Sequence, residues 1–299
     1  MMMNEQPAKK QKIGNKTEEV FRMVISAPCS FKNMCDILGS VFETLTFTVA
    51  NSSGSFSGMK VNALDSKQVA FVQLKYACQV TFANDSQEEV KTCVKLKHLI
   101  QLLKYVPNIS VLHIVQYASD NNLTLETFDE RRSKKVFYIK TLQLLEDDDV
   151  SMQDMNAGNL IEFDLSELKG FVKHSQESKA TEIDFSILAN KSEDRNDRLI
   201  VTKFFGEAGR CGFHHQPEKD ASTTKMLGET HLDMGEWKPF YKGTFDSAMI
   251  HSFLKNMDRE SKIVVCLSDD VMILDYNLGI ESSHIRFYLA VKDVDESEN

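Results

Sequence analysis

Two hydrophobic periods take turns along this chain. Phe31, Met34, Leu38, Val41 and Phe42 fall at helical spacing, which predicts a helix over 31–42. Strand-like runs follow at 45–50, 59–63 and 69–76. A second helical stretch, 92–106, sets Leu96, Leu99, Ile100, Leu103 and Val106 on one face and stops at Pro107. Strands are predicted again at 111–117, 123–128 and 136–140. The same order then returns. A strand at 160–164 leads to a helix carrying Leu165, Leu168, Phe171 and Val172. Strands at 182–189, 199–205 and 211–215 come next, and the polar, charge-mixed stretch 216–230 reads as a loop. A helix with Phe245, Met249, Phe253, Leu254 and Met257 precedes strands at 262–267, 271–277 and 284–291.

Helix, strands, helix, strands, twice over, describes an α+β protein of two domains with similar plan. The expected boundaries are a polar tail at 1–20, a first domain at 21–140, a connector at 141–157, a second domain at 158–293 and an acidic end at 294–299. The tail holds Lys9, Lys10 and Lys12, which suits a solvated segment and also a nuclear-import signal, so a nuclear location is expected, or a viral replication compartment if the chain is viral. The connector contains the acidic run Glu146–Asp149 between Leu142, Leu144, Leu145 and Val150, Met152, Met155. No single period fits it, which leaves its leucines available for docking.

Composition narrows the classes. The chain is 42% hydrophobic and 26% charged, with no run of eighteen apolar residues and no apolar signal at its start, so no membrane partner is expected. Cys29, Cys35, Cys78, Cys93, Cys211 and Cys266 are scattered without a CxxC pair and read as reduced thiols. The formal charge of −9, taken alone, argues against nucleic acid. The distribution of charge reverses that argument. The helical windows 30–42, 91–106, 165–176 and 245–257 hold eight lysines (32, 91, 95, 97, 104, 169, 173 and 255) against Asp36, Glu167 and Asp246. Lys97, Gln101 and Lys104 form one stripe opposite the leucines, and Lys169 and Lys173 are i, i+4 neighbours. Solvation alone would account for any one such helix. A lysine excess summed over four helical windows of an acidic chain instead suits a surface that holds DNA through phosphates without reading bases. Lys32, Lys97, Lys104, Lys169, Lys173 and Lys255 are the candidate contacts.

Signatures of catalysis do not emerge. The sequence has no GxxxxGK loop, GxSxG elbow or HExxH pair. Cys211, His214 and His215 share a predicted strand, where adjacent residues point to opposite faces, so no metal site is expected there. Ser52–Gly58 lies between strands and reads as a hairpin turn. Asp269 and Asp270, like Asp147–Asp149, sit in turn or connector positions. No catalytic residue and no cofactor is assigned. A DNA-acting enzyme such as a nuclease remains the contrasting class, without a carboxylate constellation to carry it.

The segment Ser57–Tyr76, SGMKVNALDSKQVAFVQLKY, resembles the sliding-clamp family typified by proliferating cell nuclear antigen. So do Ile285–Ala290 (IRFYLA) ahead of an acidic tail, Gly206–Gly209, and Phe245–Lys255 leading into Asp270–Tyr276. The likeness runs in order over roughly 21–293. It departs in the longer segments 177–198 and 213–231, in Val291 at a position where a proline is common, and in a first helix with one lysine. The resemblance implies a polymerase processivity factor: copies joined head to tail, helices lining a hole around duplex DNA, sheets outside. It implies an ATP-driven loader, a DNA polymerase and other peptide-motif proteins as partners, and a homotrimer of six domains. Basic residues stand in relatives where this chain has Lys104, Lys173 and Lys255. The peptide pocket of relatives maps onto Leu64, Gln68, Phe71, Leu144, Val150, Val271, Tyr288 and Ala290, with Gln68 replacing a common histidine. Subunits would meet through Val136–Lys140 and Gly209–His215, using Phe137 or Tyr138 and Cys211 or Phe213. A monomeric or dimeric clamp-like accessory subunit and a checkpoint-type clamp are neighbouring expectations.

Overall fold

A computed structural model describes residues 18–52, 55–65, 69–84, 86–118, 120–128, 133–143, 159–190, 198–207, 209–217, 224–227, 237–258 and 261–292. The chain opens with strand β1 (Glu19–Ile25), whose Phe21, Met23 and Ile25 point into the core. Helix α1 (Pro28–Leu38) follows. Pro28 starts it without penalty, because a first-turn N–H has no intrahelical acceptor. Phe31, Met34, Cys35 and Leu38 form its buried stripe. Strands β2 (Thr44–Ser52), β3 (Phe56–Leu64), β4 (Ala70–Ala77), β5 (Gln79–Phe82) and β6 (Glu89–Lys95) come next. Helix α2 (Leu96–Leu103) continues straight from β6, and β7 (Leu112–Tyr117), β8 (Asn122–Phe128) and β9 (Lys134–Lys140) complete this half.

The second half repeats the plan. Strand β10 (Asn159–Asp164) runs into α3 (Leu165–Glu177), where the Asp164 carboxylate accepts from the Ser166 amide as an N-cap. Strands β11 (Glu182–Asn190), β12 (Arg198–Gly206), β13 (Gly209–Pro217), β14 (Thr224–Leu227) and β15 (Trp237–Asp246) follow. Asp246 caps α4 (Ser247–Leu254) by accepting from the Met249 amide. Strands β16 (Lys262–Leu267), β17 (Val271–Asn277) and β18 (His284–Ala290) close the fold.

The strands form three antiparallel sheets, ordered β5-β1-β7-β8-β9, β10-β16-β17-β18-β4-β3-β2-β6 and β14-β13-β12-β11-β15. The middle sheet crosses between the halves, because β18 pairs with β4 in the register Phe71 to Tyr288 and Lys75 to His284. The helices pack side by side in the order α2, α1, α4, α3. One buried apolar cluster runs between the helices and the sheets through both halves. Phe31 meets Tyr76 edge-on and Phe253 stacks on Phe287 at 4.3 Å, so each half ties a helix to the shared sheet with an aromatic pair.

Four expectations are corrected. Thr92–Lys95 belongs to β6, since Thr92, Cys93 and Val94 sit in a ladder with β2 and helical backbone begins only at Leu96. Phe245 ends β15 rather than starting a helix. The stretch expected as a loop at 216–230 contains β14. β1, β5 and β15 were not anticipated; β15 is disguised by Pro239, Gly243 and a bulge where Ile187 and Leu188 pair with Tyr241 and Pro239.

Candidate nucleic-acid interface and outer-face pocket

The helix row turns its apolar stripes to the sheets and its polar faces outward. On α2, Leu96, Leu99 and Leu103 are buried while Lys97, His98, Gln101 and Lys104 are exposed. Lys97 and Lys104 are two turns apart on that face, about 10 Å along the axis. On the other side of the row, Lys169, Lys173 and Lys255 converge on a cleft of about 790 Å³ between α3 and α4, joined there by His251. The Lys169 ammonium donates to the carbonyls of Lys255 and Met257 at 3.1 and 2.8 Å. That places a cation against the C-terminal carbonyls of α4, where the helix dipole is negative.

The lysines are not equivalent. Lys32 donates to the carbonyl of Val106 and to Asn108 Oδ1, so its charge is turned back onto the segment after α2. Lys173 is 3.4 Å from Glu177 in an exposed i, i+4 pair. Asp36 is the acid of α1: partial desolvation raises its pKa, with Lys104 and Lys32 pulling the other way. The sequence count overstated the charge asymmetry. Lys91 and Lys95 lie on β6 and Glu177 lies inside α3, so the helices and their C-caps carry six lysines against Asp36, Glu167 and Glu177. A basic excess survives, concentrated on α2 and in the α3–α4 cleft.

On the opposite side of the molecule, the middle sheet carries an apolar row in register. Leu64 opposes Phe71, Phe71 opposes Tyr288, and Tyr288 opposes Ile273. The row continues through Cys266 to Leu160. Directly opposed residues share a face, and the residues between them (Val72, Phe287, Met272, Leu274) fill the main core, so this row faces away from that core, with Phe71, Val271 and Tyr288 themselves buried. Phe71, Val271 and Tyr288 form a separate small cluster with Ile273 beside it. The Phe71 and Tyr288 rings lie 5.5 Å apart, and the Tyr288 hydroxyl donates to Gln73 Oε1 at 3.4 Å. Leu64 at one end is 39% exposed and Leu160 at the other is 66% exposed. The structure thus brings Leu64, Phe71, Val271, Tyr288 and Ala290 together, Ala290 through its pairing with Val271. Gln68, Leu144 and Val150 lie outside the described residues. Sequence reading missed Ile273, Cys266 and Leu160; the available signal was that β17 is apolar on both faces.

At the sheet edges, β9 is the last strand of its sheet. Phe137 is half-buried on the core side and stacks on Tyr105 at 6.1 Å, whereas Tyr138 points the other way and is 64% exposed. The second expected edge needs amendment. β14 pairs with His214–Pro217 of β13, so the expected edge is shortened to Gly209–Phe213. Cys211 is half-buried against the core, and the Phe213 side chain lies outside the described residues.

This arrangement of helix row and sheets is the sliding-clamp fold, of class α+β. Among solved structures, proliferating cellular nuclear antigen from Entamoeba histolytica superposes with a TM-score of 0.72 at 16% identity, covering 92% of this chain and 100% of that one. The corresponding antigen from Thermococcus kodakaraensis gives 0.69 at 14% identity, covering 91% of this chain and 100% of its own. Protein-family models and curated protein sequences give no match.

Proposed function

We propose that this chain is a non-enzymatic sliding-clamp subunit that encircles duplex DNA and tethers a DNA polymerase and other peptide-bearing proteins to it. The observation that carries the reading is the α2, α1, α4, α3 row, with Lys97, Lys104, Lys173 and Lys255 exposed on the side away from the sheets. Ammonium groups on a rigid helical layer bind phosphates without register, which permits sliding. The outer apolar row supplies an independent support, since Phe71, Val271 and Tyr288 offer a seat for an amphipathic peptide with aromatic anchors. The two sheet edges, β9 and Gly209–Phe213, differ from each other. Pairing them makes a heterologous contact that closes as a ring or grows as a filament. Two similar halves per copy favour closure at three copies, with an ATP-driven loader to open the ring.

One observation favours a second reading. β14 occupies part of the edge of β13, which shortens the strand available to a neighbour and suits a monomeric or dimeric accessory subunit. The test of the DNA reading is affinity for random-sequence duplex as a function of salt. Replacing Lys97, Lys104, Lys173 and Lys255 together by Ala is expected to weaken binding equally for all sequences. Unchanged affinity in that variant would refute it.

A further inference from the structure

The polar part of the middle sheet's outer face carries a second cross-strand row. Lys91 opposes Thr48, Thr48 opposes Lys60, Lys60 opposes Lys75, and Lys75 opposes His284. Their neighbours along the strands, Met59, Val61, Leu74, Tyr76 and Ile285, are buried in the main core, so this row shares the face of Phe71 and Tyr288. Lysines directly opposed on one face repel, and such a pair weakens a sheet. The acids at hand do not relieve it. Glu89 is 3.0 Å from Lys60, which also lies 5.7 Å from the centre of the Phe56 ring. Asp275 is held by Arg286 at 2.8 Å. Lys75 is exposed and has neither an ion pair nor a hydrogen bond among the described residues. Beside it stands His284, whose Nε2 is buried without a hydrogen-bond partner. In a chain of net charge −9, a cation left without an acid beside a second cation calls for an acid from outside.

The row is continuous with the apolar seat. Lys75 follows Phe71 on β4, and His284 precedes Tyr288 on β18, with the Gln73–Arg286 pair between them. That separation along the strands is about 13 Å. A peptide whose aromatic side chains fill the Phe71–Tyr288 seat therefore reaches Lys75 within about four extended residues.

We infer that Lys75, with Lys60 beside it, receives acidic side chains from the flank of the peptide seated at Phe71 and Tyr288. The inference rests on the peptide reading of the outer row and adds to it the charge of the preferred partner. Opposite charge across a contact selects partners, and the acidic remainder of the chain repels the same flank elsewhere. A duplex is the poorer occupant, because Glu89 and Asp275 flank the row and would face its phosphates.

The test is calorimetry on the full chain with synthetic amphipathic peptides that share paired aromatic anchors. One series carries a run of glutamates and the other a run of glutamines, each placed at either end of the anchors. In one orientation the glutamate peptide should bind about fivefold tighter than its glutamine counterpart at low ionic strength, the yield of two exposed ion pairs. High salt should erase that gain. Lys75→Gln should remove most of it, leave the glutamine peptide at wild-type affinity, and hold or raise Tm by relieving the opposed lysines. Lys75→Glu should prefer a run of lysines instead. Equal binding of glutamate and glutamine peptides in both orientations would overturn the inference, as would a glutamate gain that survives Lys75→Glu. A loss of duplex affinity in Lys75→Gln would assign the row to nucleic acid and also overturn it. The two readings fail differently. A glutamine peptide that binds, with no gain from glutamate, loses the basic row and keeps the seat. A glutamate peptide that binds Tyr288→Ala as tightly as wild type loses the seat, and the inference with it.

Discussion

The Asn256 side-chain amide donates to the backbone carbonyl of Asp36 at 2.7 Å, across 220 positions of sequence. With Ser40 Oγ, which donates to the Ser252 carbonyl, it joins the end of α4 to the end of α1. These bonds hold the two halves of the helix row at one spacing. Replacing Ser40 and Asn256 together by Ala should cost about 1–2 kcal/mol, measured as a shift of the urea midpoint at unchanged slope. No shift would mean that apolar packing alone sets the α1–α4 junction.

The lysines should contribute unequally to DNA binding. Lys255→Ala and Lys104→Ala are each expected to flatten the slope of log affinity against log salt by about 0.9. Lys32→Ala should leave the slope in place, since that ammonium is hydrogen-bonded to Val106 and Asn108. Equal effects at all three positions, read by fluorescence anisotropy over a salt series, would contradict the geometry.

Tyr288→Ala should abolish binding of an amphipathic peptide with aromatic anchors while the far-UV spectrum and Tm stay near wild type. The ring lies tilted against Phe71 in the middle of the outer row and outside the main core, so its loss empties the seat more than the fold. A loss of about 2–4 kcal/mol in binding is typical of a central aromatic. Calorimetry that returned wild-type affinity would move the pocket elsewhere on the surface.

Acid should weaken the fold in two stages. Arg22 Nη1 lies 2.9 Å from His113 Nδ1 and, having no acceptor capacity, must donate to it, which requires the neutral imidazole. Burial, then Arg22, lowers the His113 pKa, and burial lowers that of His284. A histidine held neutral in the fold binds its proton more readily when unfolded, so stability falls as pH drops below about 6.5. Glu126 adds a second stage. Burial would raise its pKa, but hydrogen bonds from Lys134 and Arg22 prevail and hold it below 4.5. Its contribution is present above the unfolded value and is lost as pH falls through the folded one. Urea midpoints between pH 8 and 5 should decline, and His113→Gln should make that decline smaller. An unchanged decline in the variant would place the acid sensitivity in other groups.

What the sequence made legible follows from local physics. The apolar stripes of α3 and α4 are set by neighbours within two turns, and Asp164 and Asp246 cap them from adjacent positions, so both helices stand close to their expected places. The boundary at Lys95 was not legible. Lys91, Lys95 and Lys97 share one composition, and only the ladder to Thr44–Thr48 makes the first two strand residues. The outer row was legible in part through family resemblance, but its full extent from Leu64 to Leu160 depends on five strand registers, none of which is local.

Assembly carries the central claim, because a clamp that does not close cannot encircle DNA. The edges concerned are β9, where Phe137 stacks on Tyr105, and Gly209–Phe213. Sedimentation equilibrium at micromolar concentration is the most direct measurement, made on wild type and on Phe137→Ala. The wild type should sediment as a closed particle of three 34.0 kDa chains, and Phe137→Ala as a folded single chain. A wild-type protein that sediments only as one or two chains would contradict the ring.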